Sequence, residues 1–458
     1  MSFFSRENTI APPGYNRWKV PVAALSIHLC IGQIYAFSVF NQPLTKIIGI
    51  TAPAPDDWKL TTLGWIFSLA LFFLGASAAV FGKWMEISGP RAAMFASAIC
   101  FCSGFFVSAL GIYLHQVWLL YLGSGVIGGI GLGLGYISPV STLIKWFPDR
   151  PGMATGMAIM GFGGGGMIAS PLSVYLMKYF SHEHSTGVAE TFMVLGGLYF
   201  ILMLFGAFIV RVPAEDWKPA DFDPVKKAMK KLVTRANVLA DDAIKTPQFY
   251  LLFFVLMLNV TAGIGVLGQA SVMIQELFSV ESVGKVKAID AAAAAGFVML
   301  LSFFNMAGRF AWSSLSDKIG RKNTYSIFFT TGIILYSAIP SIGASGSAVL
   351  FIAAFAIIIS MYGGGFATIP AYLKDLFGTK QVGAIHGRLL LAWSMAAILG
   401  PVLINYMRQY QLDVSKLPKA QVYSGTMYVM AALLLIGLLC NLSIKPVDEK
   451  YHVKENGN

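Results

Sequence analysis

Ser314-Leu-Ser-Asp-Lys-Ile-Gly-Arg-Lys322 lies between two apolar runs, and the earlier stretch Gly82-Lys-Trp-Met-Glu-Ile-Ser-Gly-Pro-Arg91 is a degraded copy of it. Gly82, Glu86 and Gly89 match Ser313, Asp317 and Gly320 at a constant offset of 231. The same offset relates Pro139 to Pro370, Gly152 to Gly383 and Gly156 to Gly387. A fixed period kept over several loops marks an internal repeat. The chain therefore reads as two copies of one unit, and the residues around these loops say what that unit is.

A helix needs about 20 largely apolar residues to cross a bilayer. On that ruler spans fall near 19–42, 62–82, 90–112, 117–145, 151–179, 190–211, 248–275, 290–314, 323–342, 347–372, 381–408 and 421–444. The expected fold is an all-α membrane protein with twelve transmembrane helices in two pseudo-symmetric six-helix bundles. These are residues 19–211 and 248–444, with a segment 1–18 before them, a linker 212–247 between them and a tail 445–458 after them. Composition agrees. The 458 residues are 56% hydrophobic and 12% charged, where soluble domains carry roughly a quarter charged residues, so lipid is the main solvent.

The one long polar stretch, Arg211 to Thr246, holds Arg211, Lys218, Lys226, Lys227, Lys230, Lys231, Arg235 and Lys245, with Pro213, Pro219 and Pro224 as breakers. Placing this linker and both termini in the cytoplasm puts 23 of the 33 Lys and Arg inside, as the positive-inside rule demands. The first apolar run shows no small-residue cleavage pattern, so the first helix is expected to stay in a multi-pass protein of the inner (plasma) membrane. Parallel duplicated halves place a substrate at mid-membrane where they meet, and rocking of one half against the other moves it.

Several function classes drop out. The net charge of +11 sits in short runs between apolar stretches rather than on one face, which argues against a nucleic-acid partner. Cys30, Cys100, Cys102 and Cys440 lie within apolar runs without metal-ligand or disulfide spacing, and read as buried fillers. The glycine runs 123–135 and 161–166 follow no strand and end in no Gly-Lys-Ser/Thr, so they serve close helix approach rather than phosphate binding. No paired intramembrane acids, His/Cys cluster or nucleophile motif points to an enzyme, and neither cofactor nor metal is expected.

Ile137-Ser-Pro-Val-Ser-Thr-Leu-Ile-Lys-Trp-Phe-Pro-Asp-Arg-Pro-Gly-Met-Ala-Thr-Gly156, followed by Gly161-Phe-Gly-Gly-Gly-Gly166, resembles the oxalate/formate antiporter family within the major facilitator superfamily. The loop at Ser314–Lys322 is similar to the superfamily's loop between the second and third helices of each half. Gly32-Gln-Ile-Tyr-Ala-Phe-Ser-Val-Phe40 and Gly383-Ala-Ile-His-Gly-Arg-Leu-Leu-Leu-Ala-Trp393 extend the resemblance over essentially the whole chain.

Arg309 lies eight residues before Asp317, about 12 Å deep at 1.5 Å per residue. An intramembrane ionisable group is a functional hypothesis, set against a snorkelling or structurally paired arginine. Its planar fork suits a carboxylate. Asn305-Met-Ala-Gly-Arg309 puts an amide on the same helix face, and resembles the substrate-binding arginine pattern of the family and of the related monocarboxylate transporters. The resemblance adds Tyr35, Gln33, Tyr136 and Tyr362 as cavity-lining residues, each with helix packing as its competing reading. It also shows a departure: the family's dicarboxylate exchanger has a lysine in helix 11, where Trp393 stands here and only Arg388 offers a substitute. Arg388 is expected either at the substrate or at the inner gate.

Glu86 and Asp317 are expected to cap neighbouring helix N-termini and pair with following basic residues such as Arg321, contacts that break as the halves rock. His28 is the one histidine placed deep in a span, as a proton-coupling candidate or a packing residue. The expected function is secondary transport of a small organic anion, a monocarboxylate such as lactate, pyruvate or formate, by proton symport or anion exchange. Its partners are that carboxylate, protons and the bilayer, with a monomer as the expected state. An oxalate/formate-type exchanger, an inorganic anion carrier and a transport-deficient sensor stay open.

Overall fold

The computed structural model describes residues 4–214, 217–219, 233–234, 236–278, 291–418 and 421–453. Among these, secondary structure is helical apart from isolated bridges at Ile10–Val212, His182–Ser185 and Val238–His452. The long helices are α1 (Val20–Ile31), α2 (Leu60–Ser88), α3 (Pro90–Tyr113), α4 (Val117–Trp146), α5 (Pro151–Phe180), α6 (Val188–Ile209), α7 (Pro247–Leu277), α8 (Ala291–Ile319), α9 (Arg321–Ala344), α10 (Ala348–Phe377), α11 (Val382–Asp413) and α12 (Ser424–Leu442). Among the described residues, 11 helical spans are long and apolar enough to cross a membrane, the first being Arg17–Ala36, in which 3-10 turns extend α1 at both ends. The other, α8, is 29 residues long and carries Asn305, Arg309, Ser313 and Asp317 in its second half, the polarity that an interior site requires.

Large apolar side chains are buried in both bundles, yet Trp65, Val80, Ile87, Tyr175, Ile201 and Val349 are more than half exposed. An apolar exterior is stable only where lipid is the solvent. Three helices depart from the simple span, α4 through the π-helical stretch Tyr121–Ile127. After α1 the chain tightens into a 3-10 turn, Gly32–Ala36, and resumes as Ser38–Leu44. Here the backbones touch: a Cβ at Gly32 would lie 2.4 Å from the Phe162 carbonyl oxygen on α5. Helix α11 is interrupted at Leu390, between Val382–Leu389 and Leu391–Asp413.

In the first half α1 packs on α4, α5 and α6, and α3 on α4 and α6. In the second, α7 packs on α11 and α12, α8 on α10 and α9 on α12. The halves meet where α2 lies on α11 and α5 lies on α8. Under the 231-residue offset α2 corresponds to α8 and α5 to α11, so these two seams are one contact made twice. Gly89 and Gly320 occupy equivalent turns with φ of 91° and 89°, a conformation that disfavours any residue with a Cβ.

Beneath the second half, Thr234 N–H donates to the Asp375 carbonyl and Val238 N–H to that of Phe377. Asn237 Oδ1 accepts from the Thr379 and Lys380 amides. The tail is tied here as well, with Val453 N–H donating to the Asn237 carbonyl. The linker cations Lys226, Lys227, Lys230, Lys231 and Arg235, and Pro224, lie outside the described residues.

Candidate anion site between the halves

Arg309 on α8 is fully buried. Its Nε donates to Asn305 Oδ1 one turn earlier at 3.0 Å, Nη1 to the Ile159 carbonyl at 3.4 Å and Nη2 to the Tyr35 hydroxyl at 3.3 Å. One helix of the second half and two elements of the first thus converge on one guanidinium. Its carbon stands 5.3 Å from the Phe366 ring centre, 5.6 Å from Phe162 and 5.9 Å from Tyr35, within cation–π range. Gly163 makes the room: a Cβ there would sit 3.1 Å from Arg309 Nε. Among the described residues no acidic side chain pairs with Arg309, and every partner it has is neutral.

The other sequence-derived residues gather around it. Trp393 packs on Phe366 (4.5 Å between ring centres), Phe162 (5.6 Å) and Tyr136 (5.5 Å). Tyr362 packs on Phe366 at 5.2 Å, with its hydroxyl facing that of Tyr35. Tyr136 is fully buried, as are His28 and Trp393 beside it. Among the described residues the Tyr136 hydroxyl, Trp393 Nε1 and Gln33 Nε2 have no hydrogen-bond partner, whereas buried polar atoms in folded proteins are nearly always satisfied. Phe162 and Phe366, the rings closest to Arg309 together with Tyr35, were not singled out by sequence.

Arg388 stands elsewhere. Grouped with the substrate residues on sequence grounds, it lies at the linker side, where Nη2 meets Asp241 Oδ1 at 2.6 Å and Nη1 donates to the Ala240 carbonyl. Lys83, at the end of α2, holds the other Asp241 oxygen. Asp241 therefore clasps a helix of each half, and Arg388 belongs to that clasp rather than to the anion site. Hydrogen bonds from Lys83 and Arg388 bring the Asp241 carboxyl down to about 2. A carboxylate depressed in the folded state stabilises it at pH above its unfolded value of about 3.9, and loses that effect only as pH falls through the folded one. The clasp is intact at neutral pH, and pH dependence between roughly 5 and 8 does not originate there. Because such exposed pairs contribute little, Asp241→Asn is expected to change transport by only about two- to fivefold, read as initial uptake rate.

Glu86 and Asp317, expected as gate acids, form a swapped pair. Glu86 accepts from the Gly383 amide at the start of α11 (3.0 Å) and from Ser141 Oγ (3.1 Å). Asp317 accepts from the Gly152 and Met153 amides at the start of α5 (3.0 and 2.9 Å). Each acid thus caps a helix N-terminus of the opposite half, where unsatisfied amides favour negative charge. Arg321 joins Asp317 at 2.5 Å and also Asp375 at 3.2 Å. The cation on Glu86 is Lys145 of α4, at 2.5 Å, rather than a following residue of its own loop.

Comparison with known proteins agrees with this architecture. The profile of the Major Facilitator Superfamily matches residues 23–401. The oxalate:formate antiporter of Oxalobacter formigenes is 26% identical over 386 residues, 84% of this chain and 83% of that protein. Apicoplast pyruvate carrier 1 of Toxoplasma gondii is 24% identical over 444 residues, 88% of this chain and 78% of that one. Among solved structures, the fucose:proton symporter FucP of Escherichia coli superposes with a TM-score of 0.63 at 13% identity, covering 93% of this chain and 99% of that one. A duplicated six-helix unit, a buried site at the seam and a profile match over most of the chain lead to one assignment: the protein belongs to the Major Facilitator Superfamily and is a secondary transporter of the membrane, not an enzyme.

Proposed function

We propose that this transporter carries small monocarboxylates of the pyruvate, lactate or formate type, by proton symport or anion exchange, across the plasma membrane with its linker and both termini in the cytoplasm. The observation that carries the reading is the buried Arg309 guanidinium with neutral partners only. A buried charge without a counter-charge is costly, and a well-bonded opposite charge offsets much of that cost. One carboxylate supplies it through two parallel hydrogen bonds. Tyr35, Phe162, Phe366 and Trp393 leave apolar walls for a short organic remainder, and Trp393 adds no second cation for a dianion. The similarity to a pyruvate carrier and to an oxalate:formate antiporter supports the carboxylate class.

The test is competition. With labelled pyruvate entering liposomes that contain the purified protein, lactate or formate is expected to inhibit at concentrations at least about 10-fold lower than oxalate, reflecting the cost of a second, unpaired charge. Stronger inhibition by oxalate would point to a dicarboxylate exchanger, and by nitrate alone to an inorganic anion carrier.

A further inference from the structure

His386, in the second turn of α11, is fully buried, and among the described residues its Nε2 has no hydrogen-bond partner. Its ring centre lies 5.8 Å from that of Tyr136 on α4. The other side of the cluster is His28 of α1, also fully buried, 5.5 Å from the same Tyr136 ring. Two imidazoles, one from each half, therefore meet one phenol whose hydroxyl is itself without a partner. Phe162 joins the group to the anion site, its ring centre 6.5 Å from His28 and 5.6 Å from the Arg309 guanidinium carbon.

We infer that His386 and His28, facing one another across Tyr136, bind a proton that travels with the anion held at Arg309, which makes the protein a proton–monocarboxylate symporter. The inference rests on the monocarboxylate reading above. Imidazole is the side chain whose charge changes near neutral pH, and buried polar atoms left without partners are the exception in folded proteins.

The surrounding charges leave the pair to itself. Around His386, Glu86 of α2 is committed to Lys145 of α4 and to the Gly383 amide. Lys83 of α2 and Arg388 of α11 are committed to Asp241. Asp375 and Lys374 at the end of α10 lie together beside Arg321. Around His28, α8 contributes Arg309, α4 contributes Tyr136 and α5 contributes the Ala158 backbone. Arg309 is thus the cation that acts on His28.

Coupling follows from charge. With the site empty, a proton on either imidazole places a second positive charge near Arg309 in a poorly screened interior, which is unfavourable. A bound carboxylate neutralises Arg309 and removes that penalty. By linkage the proton favours the anion to the same extent. The site holding both carries the same net charge as the empty site, so the loaded and unloaded carriers cross the same electrostatic landscape. Since His386 and His28 lie on opposite halves, rocking changes their separation and rebuilds the proton site with each swing.

The experiment uses liposomes holding the full chain and a trapped pH-sensitive dye, with pyruvate as the probe. For the parent, an inward pyruvate gradient is expected to acidify the lumen by about one proton per pyruvate, the stoichiometry of symport. His386→Gln and His28→Gln are each expected to lower pyruvate accumulation driven by a pH gradient at least about 10-fold, while pyruvate–pyruvate exchange falls no more than about threefold, because exchange needs no net proton movement. Labelled pyruvate flux in the parent without luminal acidification overturns the inference and leaves the monocarboxylate reading standing. So does gradient-driven accumulation in His386→Gln equal to that of the parent. Absence of labelled flux in the parent for pyruvate, lactate and formate alike removes both readings.

Discussion

Pyruvate uptake by Arg309→Ala is expected to fall at least about 30-fold below the parent, because truncating one partner of a buried charge pair costs on the order of 2–5 kcal/mol. The substitution also strands Asn305 Oδ1, the Tyr35 hydroxyl and the Ile159 carbonyl, which now accept from the guanidinium. Arg309→Lys keeps the charge but not the fork. One ammonium cannot serve three acceptors and also grip a carboxylate at two points, so a loss of roughly 10-fold is expected. Asn305→Ala leaves the cation in place and frees Nε, and a smaller loss of about three- to tenfold should follow. Uptake by Arg309→Ala equal to the parent, in protein that elutes as a single folded species, would remove the guanidinium from the site.

Gly387→Val is expected to lower transport at least about 30-fold by a different route, overpacking at a seam between backbones. A Cβ at Gly387 on α11 would lie 2.1 Å from the Ala78 carbonyl oxygen on α2, and one at Gly156 on α5 would lie 2.2 Å from Ser313 Oγ on α8. These glycines are 231 residues apart and serve the two equivalent seams, which close only if both backbones come into contact. With valine the linker side stays ajar, and the reporter is a cysteine placed at Ser141, now buried in the seam. In a background without the four native cysteines, it should react with a thiol reagent from the linker side at least about 10-fold faster in Gly387→Val, since reactivity follows exposure. Gly197→Val is the control. Nothing lies within 4 Å of a Cβ there, and transport should stay near the parent rate.

Spans, repeat and gate acids were legible because each rests on local properties, namely hydropathy over about 20 residues and a recurring spacing. Arg309 and Asn305 were legible because a cation deep in an apolar run is conspicuous wherever it points. What sequence does not display is direction. Rise along a helix measures depth but not which neighbour a side chain meets, so Arg388 was left between the substrate and the inner gate, and Asp241, distant in sequence, holds it at the linker side. His386 was passed over because it falls near the start of the expected span 381–408. That part of the helix is buried at once against α2 and α4, so the histidine lies inside despite its near-terminal position. Phe162 and Phe366 did leave a signal: each is an aromatic set among glycines, Gly161-Phe-Gly163 and Gly365-Phe366. Glycines clear the space around such a ring, and a lone bulky side chain in a glycine run deserves the reading of a cavity wall. The partners of Glu86 and Asp317 were open to inference only in kind, as helix N-termini. That each reaches the other half follows from the pseudo-two-fold pairing of α2 with α11 and α8 with α5.

The central claim, that one carboxylate closes the charge balance at Arg309 and is carried across, is tested most directly by counterflow. Liposomes containing the parent protein are loaded with unlabelled pyruvate, diluted into a trace of labelled pyruvate, and followed for transient accumulation of label. The account predicts accumulation in the parent and none in Arg309→Ala. A parent that accumulates no pyruvate, lactate or formate, or an Arg309→Ala variant that accumulates pyruvate as the parent does, would contradict it.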